Sequence, residues 1–119
     1  MKRKKILVVD DDSFIYKTLK DILETEGYEV VVAASGRKAL ELVELNDFDI
    51  VLSDVVMEKI GGCELARHIQ RVAPKVSLFF MTAYPRDKRV QEAKECGVLK
   101  VFTKPFDVQE MLTEFTKIS

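Results

Sequence analysis

Ile6-Leu7-Val8-Val9-Asp10-Asp11-Asp12 decides how the rest of the chain reads. An apolar run without polar alternation is a strand covered on both faces, and the carboxylates that follow end it abruptly. Similar apolar blocks recur at Val30 to Ala34, Ile50 to Leu52, Val76 to Met81 and Val98 to Phe102. Rich in Val and Ile, they predict a parallel sheet. Helical periods lie between and after them: Ile15, Leu19 and Ile22; Ala39, Leu40 and Val43; Ala66, Ile69 and Ala73; Val90 and Ala93; Val108, Met111, Leu112 and Phe115. Each fits one apolar stripe on a helix. Ser13 and Ser35 can cap helices 1 and 2, Asp107 with Glu110 makes a capping-box-like start for helix 5, and Gly27 can close helix 1. The expected fold is α/β, a (βα)5 chain with helices on both faces of the sheet.

The chain has 119 residues, 47% of them apolar and 33% charged, enough for one core and too few for two. Residues 1-119 therefore read as a single domain, with nothing left over for an output domain. The formal net charge of -1 provides no basic field for nucleic acid or an anionic membrane. The basic start Met1-Lys2-Arg3-Lys4-Lys5 is followed by too short an apolar run for a signal peptide, so the expectation is a chain neither exported nor membrane-spanning. Cys63 and Cys96 lie far apart, with no CxxC pair and no histidine neighbours. Reduced, inert thiols and a cytoplasmic location are expected from them.

In open parallel sheets ligands collect beyond the carboxyl ends of the strands. Here strand 1 ends in Asp10-Asp11-Asp12, strand 3 in Ser53-Asp54, strand 4 in Thr82-Ala83 and strand 5 in Thr103-Lys104-Pro105. Carboxylates from separate strands, held a few ångströms apart, repel one another unless a cation lies between them. Mg²⁺ fits, because it takes oxygen ligands and is usually held by one or two carboxylates together with phosphate oxygens. The glycine-rich phosphate loop of a nucleotide binder is missing, so the phosphate must be small or covalent. A carboxylate beside Mg²⁺, a lysine and a threonine hydroxyl has what phosphoryl transfer to an aspartate needs.

Those stretches, with Asp54-Val55-Val56-Met57 and Lys104-Pro105-Phe106, resemble the motifs of the response-regulator receiver family, in its order and near its spacing. The resemblance covers the whole chain. It implies the flavodoxin-like strand order 2-1-3-4-5 and a receiver that takes a phosphoryl group from a phosphohistidine, on a sensor histidine kinase or a histidine phosphotransfer protein. It then signals through a conformational change or passes the phosphate on. By that resemblance Asp54 is the phospho-acceptor, Asp10 and Asp11 are the acidic pair that holds Mg²⁺, and Val56 supplies a backbone carbonyl to the metal. Thr82 and Lys104 contact the phosphoryl group, and Pro105 follows a cis peptide. The domain is then a signalling module whose only catalysis is of its own phosphorylation and dephosphorylation, with a downstream protein meeting the helix 4, strand 5, helix 5 face. Glu58 and Gly61 depart from the family pattern in the loop after Asp54. Val101 stands where many members carry the aromatic residue that reports phosphorylation.

Two other classes compete. Asp10-x-Asp12 superficially resembles the start of haloacid-dehalogenase-type phosphatases, although Phe14 and the short chain argue against them; a pseudo-receiver would act by interaction alone. Asp12 reads as a helix-start residue favourable to the macrodipole. His68 reads as a surface residue, and Met57, Met81 and the phenylalanines at 14, 48, 79, 80 and 115 as core or half-buried packing.

Overall fold

The computed structural model describes residues 3–55 and 62–118. Its elements alternate without exception: β1 (Lys5–Val9), α1 (Ser13–Thr25), β2 (Glu29–Ala33), α2 (Gly36–Leu45), β3 (Ile50–Asp54), α3 (Gly62–Val72), β4 (Ser77–Thr82), α4 (Lys88–Lys94), β5 (Lys100–Thr103) and α5 (Val108–Thr116). The five strands form one parallel sheet in the order β2-β1-β3-β4-β5. Fold class and strand order are those expected. No helix among the described residues is long and apolar enough to cross a membrane.

The absence of alternation in the strands has a direct cause. β3 is buried along its whole length and β1 from Ile6 onward, because the sheet is covered on both sides. Odd and even residues of a strand enter opposite layers. Leu7, Val9, Val51 and Phe80 join a core with Ala39 and Val43 of α2, Leu65, Ala66 and Ile69 of α3, and Val90 and Ala93 of α4. Ile6, Val8, Leu52, Phe79 and Phe102 join a second core with Leu19 and Leu23 of α1 and Met111 and Phe115 of α5. In this second layer Phe79 stacks on Phe102 at 5.7 Å between ring centroids and meets Phe115 edge-on at 5.1 Å.

Several local expectations need correction. Asp12, not Ser13, caps α1, its carboxylate accepting the Phe14 N–H at 2.9 Å. The aspartate sits one residue earlier with extended backbone, where a carboxylate can fold back onto the first turn. Ser35 and Asp107 cap α2 and α5 as expected. Gly27, at φ +95°, follows α1 in the left-handed conformation that glycine adopts without steric cost. β5 begins at Lys100 rather than Val98, and Leu99 is left exposed. The α1 stripe includes Leu23, fully buried, whereas Ile22 is half-buried. Phe14 is 74% exposed rather than packed, since it lies on the face of α1 turned away from the stripe of Ile15, Tyr16, Leu19 and Leu23 that meets the core. Met57, Glu58 and Gly61 lie outside the described residues.

The cysteines are the largest correction. Cys63 and Cys96 form a disulfide with their Cα atoms 5.7 Å apart, in place of the expected free thiols. Their separation in sequence concealed that α3 and α4 pack as neighbours.

Truncation at the two extremes of burial checks this account of the core. Phe79→Ala removes a ring packed against those of Phe102 and Phe115 and should cost about 3–5 kcal/mol. Phe14→Ala should stay within about 0.5 kcal/mol of the parent. Urea unfolding measures both, and a comparable loss for the two variants would contradict the assignment of Phe79 to the core.

Candidate functional site

Parallel pairing delivers every strand's carboxyl end to the same edge, and the chain places a polar residue at four adjacent ends. Asp10 follows β1, and its N–H continues the ladder to the Ala33 carbonyl at 3.1 Å. Asp54 is the last residue of β3 and lies opposite Met81. Thr82 closes β4 opposite Thr103, and Lys104 follows β5, its N–H donating to the Thr82 carbonyl at 2.7 Å. The Lys104–Pro105 peptide is cis, as the sequence resemblance implied.

The side chains converge. The Lys104 Nζ lies 2.8 Å from Asp10 Oδ2 and 3.0 Å from Asp54 Oδ2, joining residues 94 and 50 positions apart in sequence. Asp10 is fully buried, Asp54 is 7% exposed, and Asp11 stands exposed beside them. Carboxylate oxygens of Asp10, Asp11 and Asp54 lie within 4.8 Å of one another. The other Asp10 oxygen, Oδ1, accepts the Asp12 N–H at 2.9 Å, which fixes the carboxylate's orientation. Thr82 is fully buried, and its Oγ1 accepts the Tyr84 N–H at 2.9 Å, so the hydroxyl keeps its proton to donate.

Charge is the salient property of this arrangement. Among the described residues, three carboxylates face one ammonium. At an effective dielectric of about 20, two like charges roughly 5 Å apart repel by about 3 kcal/mol. A second cation is favoured on that ground. The all-oxygen donor set fits a hard divalent ion such as Mg²⁺ better than zinc, which prefers nitrogen and sulfur. Burial alone would push the Lys104 ammonium toward its neutral form, but its bonds to Asp10 and Asp54 outweigh burial and raise its pKa above the ordinary lysine value.

The structure therefore brings together Asp10, Asp11, Asp54 and Lys104 and places Thr82 at the adjoining strand end, while Val56 lies outside the described residues. Asp12 is excluded, because its carboxylate is committed to the start of α1. That geometry disfavours the Asp10-x-Asp12 phosphatase reading, in which both carboxylates would share the site. His68 sits well away, 4.0 Å from Glu44 between α3 and α2. A concavity of about 530 Å³ lies elsewhere, at the α2–β3 and α3–β4 connections, lined by Val43, Leu45, Phe48, Val72 and Val76 among others. The Asp12 and Tyr84 N–H contacts were not foreseen, since backbone donors leave no mark on residue type.

Comparison with known proteins gives a consistent picture. The family profile described as the response regulator receiver domain matches residues 6–116. The chain is 36% identical over 111 residues to sporulation initiation phosphotransferase F of Bacillus subtilis, covering 93% of this chain and 90% of that protein. It is 32% identical to the chemotaxis protein CheY of Thermotoga maritima, covering 98% of each. It matches 25% of the length of the transcriptional regulatory protein ZraR of Escherichia coli, at 38% identity and over 94% of this chain. Among solved structures, Vibrio cholerae CheY4 superposes with a TM-score of 0.89 at 28% identity, covering 99% of this chain and 100% of that one. The Thermotoga maritima response regulator TrrA, solved in complex with Mg²⁺-BeF, gives 0.83 at 31% identity, covering 98% and 99%.

The raised pKa of Lys104 has a signed consequence for stability. The group contributes stability that is fully present below its unfolded pKa and lost as pH rises through its higher folded value. Lys104→Gln should therefore be less stable than the parent near neutral pH, and that gap should close in the alkaline range above the ordinary lysine pKa. Urea titrations of both proteins over that range provide the check; a gap independent of pH would contradict the ammonium's role.

Proposed function

The chain belongs to the response regulator receiver domain family, and from that premise we propose that Asp54 accepts a phosphoryl group from a phosphohistidine in a two-component phosphorelay. The observation that carries the assignment is Lys104 held against both Asp10 and Asp54, with Asp11 alongside and Thr82 at the next strand end. An Asp54 carboxylate oxygen attacks phosphorus, the bond from phosphorus to the imidazole nitrogen breaks, and an acyl phosphate forms. Lys104 stays protonated, held so by two carboxylates, and offers fixed positive charge to a phosphoryl oxygen. The Thr82 hydroxyl donates to another. Asp10, Asp11 and Asp54, with the Val56 carbonyl that the family resemblance implies, would hold Mg²⁺, which when bound would neutralise charge on the carboxylates and phosphoryl oxygens.

The donor is a sensor histidine kinase or a histidine phosphotransfer protein, and the domain acts in the cytoplasm as a single receiver module. Output uses the α4, β5, α5 face, where Leu99 and Tyr84 stand exposed. Val101 is half-buried against the core beneath α2, α3 and α4, whereas Phe102 is turned into the opposite core against Phe79 and Phe115. β5 thus has no aromatic ring on the Val101 side to swing inward, which weights the function toward passing phosphate on. Its only catalysis is of its own phosphorylation and dephosphorylation.

Incubation with acetyl phosphate and Mg²⁺ should raise the intact mass by one phosphoryl group, and Asp54→Asn should gain none. Lys104→Ala should slow labelling by about a hundredfold, the usual effect of removing one preorganised charge donor. Chelation of Mg²⁺ should stop labelling, and Asp11→Ala should demand far more metal for the same rate. Equal labelling of the Asn variant would overturn Asp54 as acceptor, and labelling indifferent to chelation would overturn the metal assignment.

A further inference from the structure

The disulfide lies outside the phosphoryl site, yet the segment it closes contains part of that site. Cys63 is the second residue of α3, and Cys96 lies in the turn between α4 and β5. They lie 33 positions apart, and the chain between them includes β4, Thr82 and all of α4. α4 has 7 residues, too few to be stable alone, and its buried side chains are Val90 and Ala93. Its position therefore depends on what holds its ends.

α3 grips the far end of α4 at two points. The first is the disulfide. The second is Gln70, seven residues after Cys63 and so on the same face of α3, whose Nε2 donates to the Cys96 carbonyl at 3.0 Å. The same amide lies against Gly97, where a Cβ would come within 2.7 Å of it. Opening the disulfide removes the covalent grip but leaves the polar one, so the turn is held less tightly yet stays near enough to α3 for the bond to close again. The open state also has a partner for the released thiol: Cys96 Sγ lies 3.2 Å from the Glu92 carbonyl, which can accept its S–H. The reduced state thus keeps contacts at the turn, but fewer than the oxidised one.

We propose that Cys63 and Cys96 form a reversible dithiol–disulfide centre that takes a small thiol reductant, tying α4 to α3 when oxidised and freeing it when reduced. Its relevance to signalling rests on the receiver reading given above. In a compartment with a reducing thiol pool, a protein disulfide is usually transient, and the cytoplasmic placement makes this one responsive. Cys63 is half-buried and Cys96 is 9% exposed, so exchange proceeds at Cys63. A thiolate attacks Cys63 Sγ, the bond between the two cysteines breaks, and Cys96 leaves as a thiolate that takes up a proton. A second thiolate attacks the outer sulfur of the mixed disulfide and releases Cys63, which is protonated in turn. Two electrons and two protons pass to the protein, and two thiols leave as one disulfide. The reverse reaction begins at Cys63, the more accessible of the two sulfurs, on an oxidised small-molecule disulfide.

The test uses the full chain equilibrated with glutathione at defined ratios of reduced to oxidised form, with Cys63→Ser as the permanently open reference. Maleimide labelling read by mass should show two thiols appearing together when reduced glutathione dominates. Amide hydrogen exchange across residues 88–97 should then be about tenfold faster than in the oxidised protein, as expected when a local constraint on opening is lost, while α1 is unchanged. Cys63→Ser should match the reduced protein at every ratio, and Cys96→Ser provides an independent second reference. A bond that stays closed in excess reduced glutathione, thiols that never pair, or exchange at 88–97 indifferent to reduction would each overturn the proposal. Acetyl phosphate labelling of the same samples reports separately on Asp54. Failure of labelling in both redox states would fall on the receiver reading, while the exchange result would still decide the tether.

Discussion

Like charges gathered in one place organise this molecule. Asp10, Asp11 and Asp54 would separate if only hydrophobic burial governed the fold, and Lys104 is what allows them to share one edge of the sheet. A lysine is suited to that task because its long stem reaches across β4 while its ammonium remains charged between two acceptors. Among the described residues the carboxylates at this edge outnumber the ammonium, and the gathering of like charge favours a further cation.

The sheet beneath tolerates this because its two layers are packed independently. The layer under α1 and α5 is built on stacked and edge-on rings from Phe79, Phe102 and Phe115. The layer under α2, α3 and α4 is mostly aliphatic and includes alanines at 39, 66 and 93. Small side chains allow helices to lie close but interlock them less. The side that carries α4 is also the side where the structure adds a covalent link.

Much of this was legible in the sequence because the relevant signals are interruptions. An aspartate run that stops an apolar run, as at Val9 to Asp10, marks a strand end whatever the surrounding fold, and doubly covered strands read as unbroken Val and Ile. Thr82 and Lys104 were identifiable for the same reason. The failures share a different character. Whether Cys63 meets Cys96 depends on how α3 and α4 pack, which residue spacing does not encode. Phe14 is apolar, yet it falls outside the stripe of Ile15, Leu19 and Leu23 that α1 turns to the core. The choice between Asp12 and Ser13 as cap turns on a one-residue difference in where helical dihedrals begin.

The contact between Asp10 and Lys104 joins the first strand to the segment after the last. No local fragment of the chain can make it, because the two residues lie 94 positions apart and meet only when β1, β3, β4 and β5 have all taken their places in the sheet. The ionic grouping at the carboxyl edge is thereby a property of the completed topology, closed between the two ends of the chain rather than within any one βα unit.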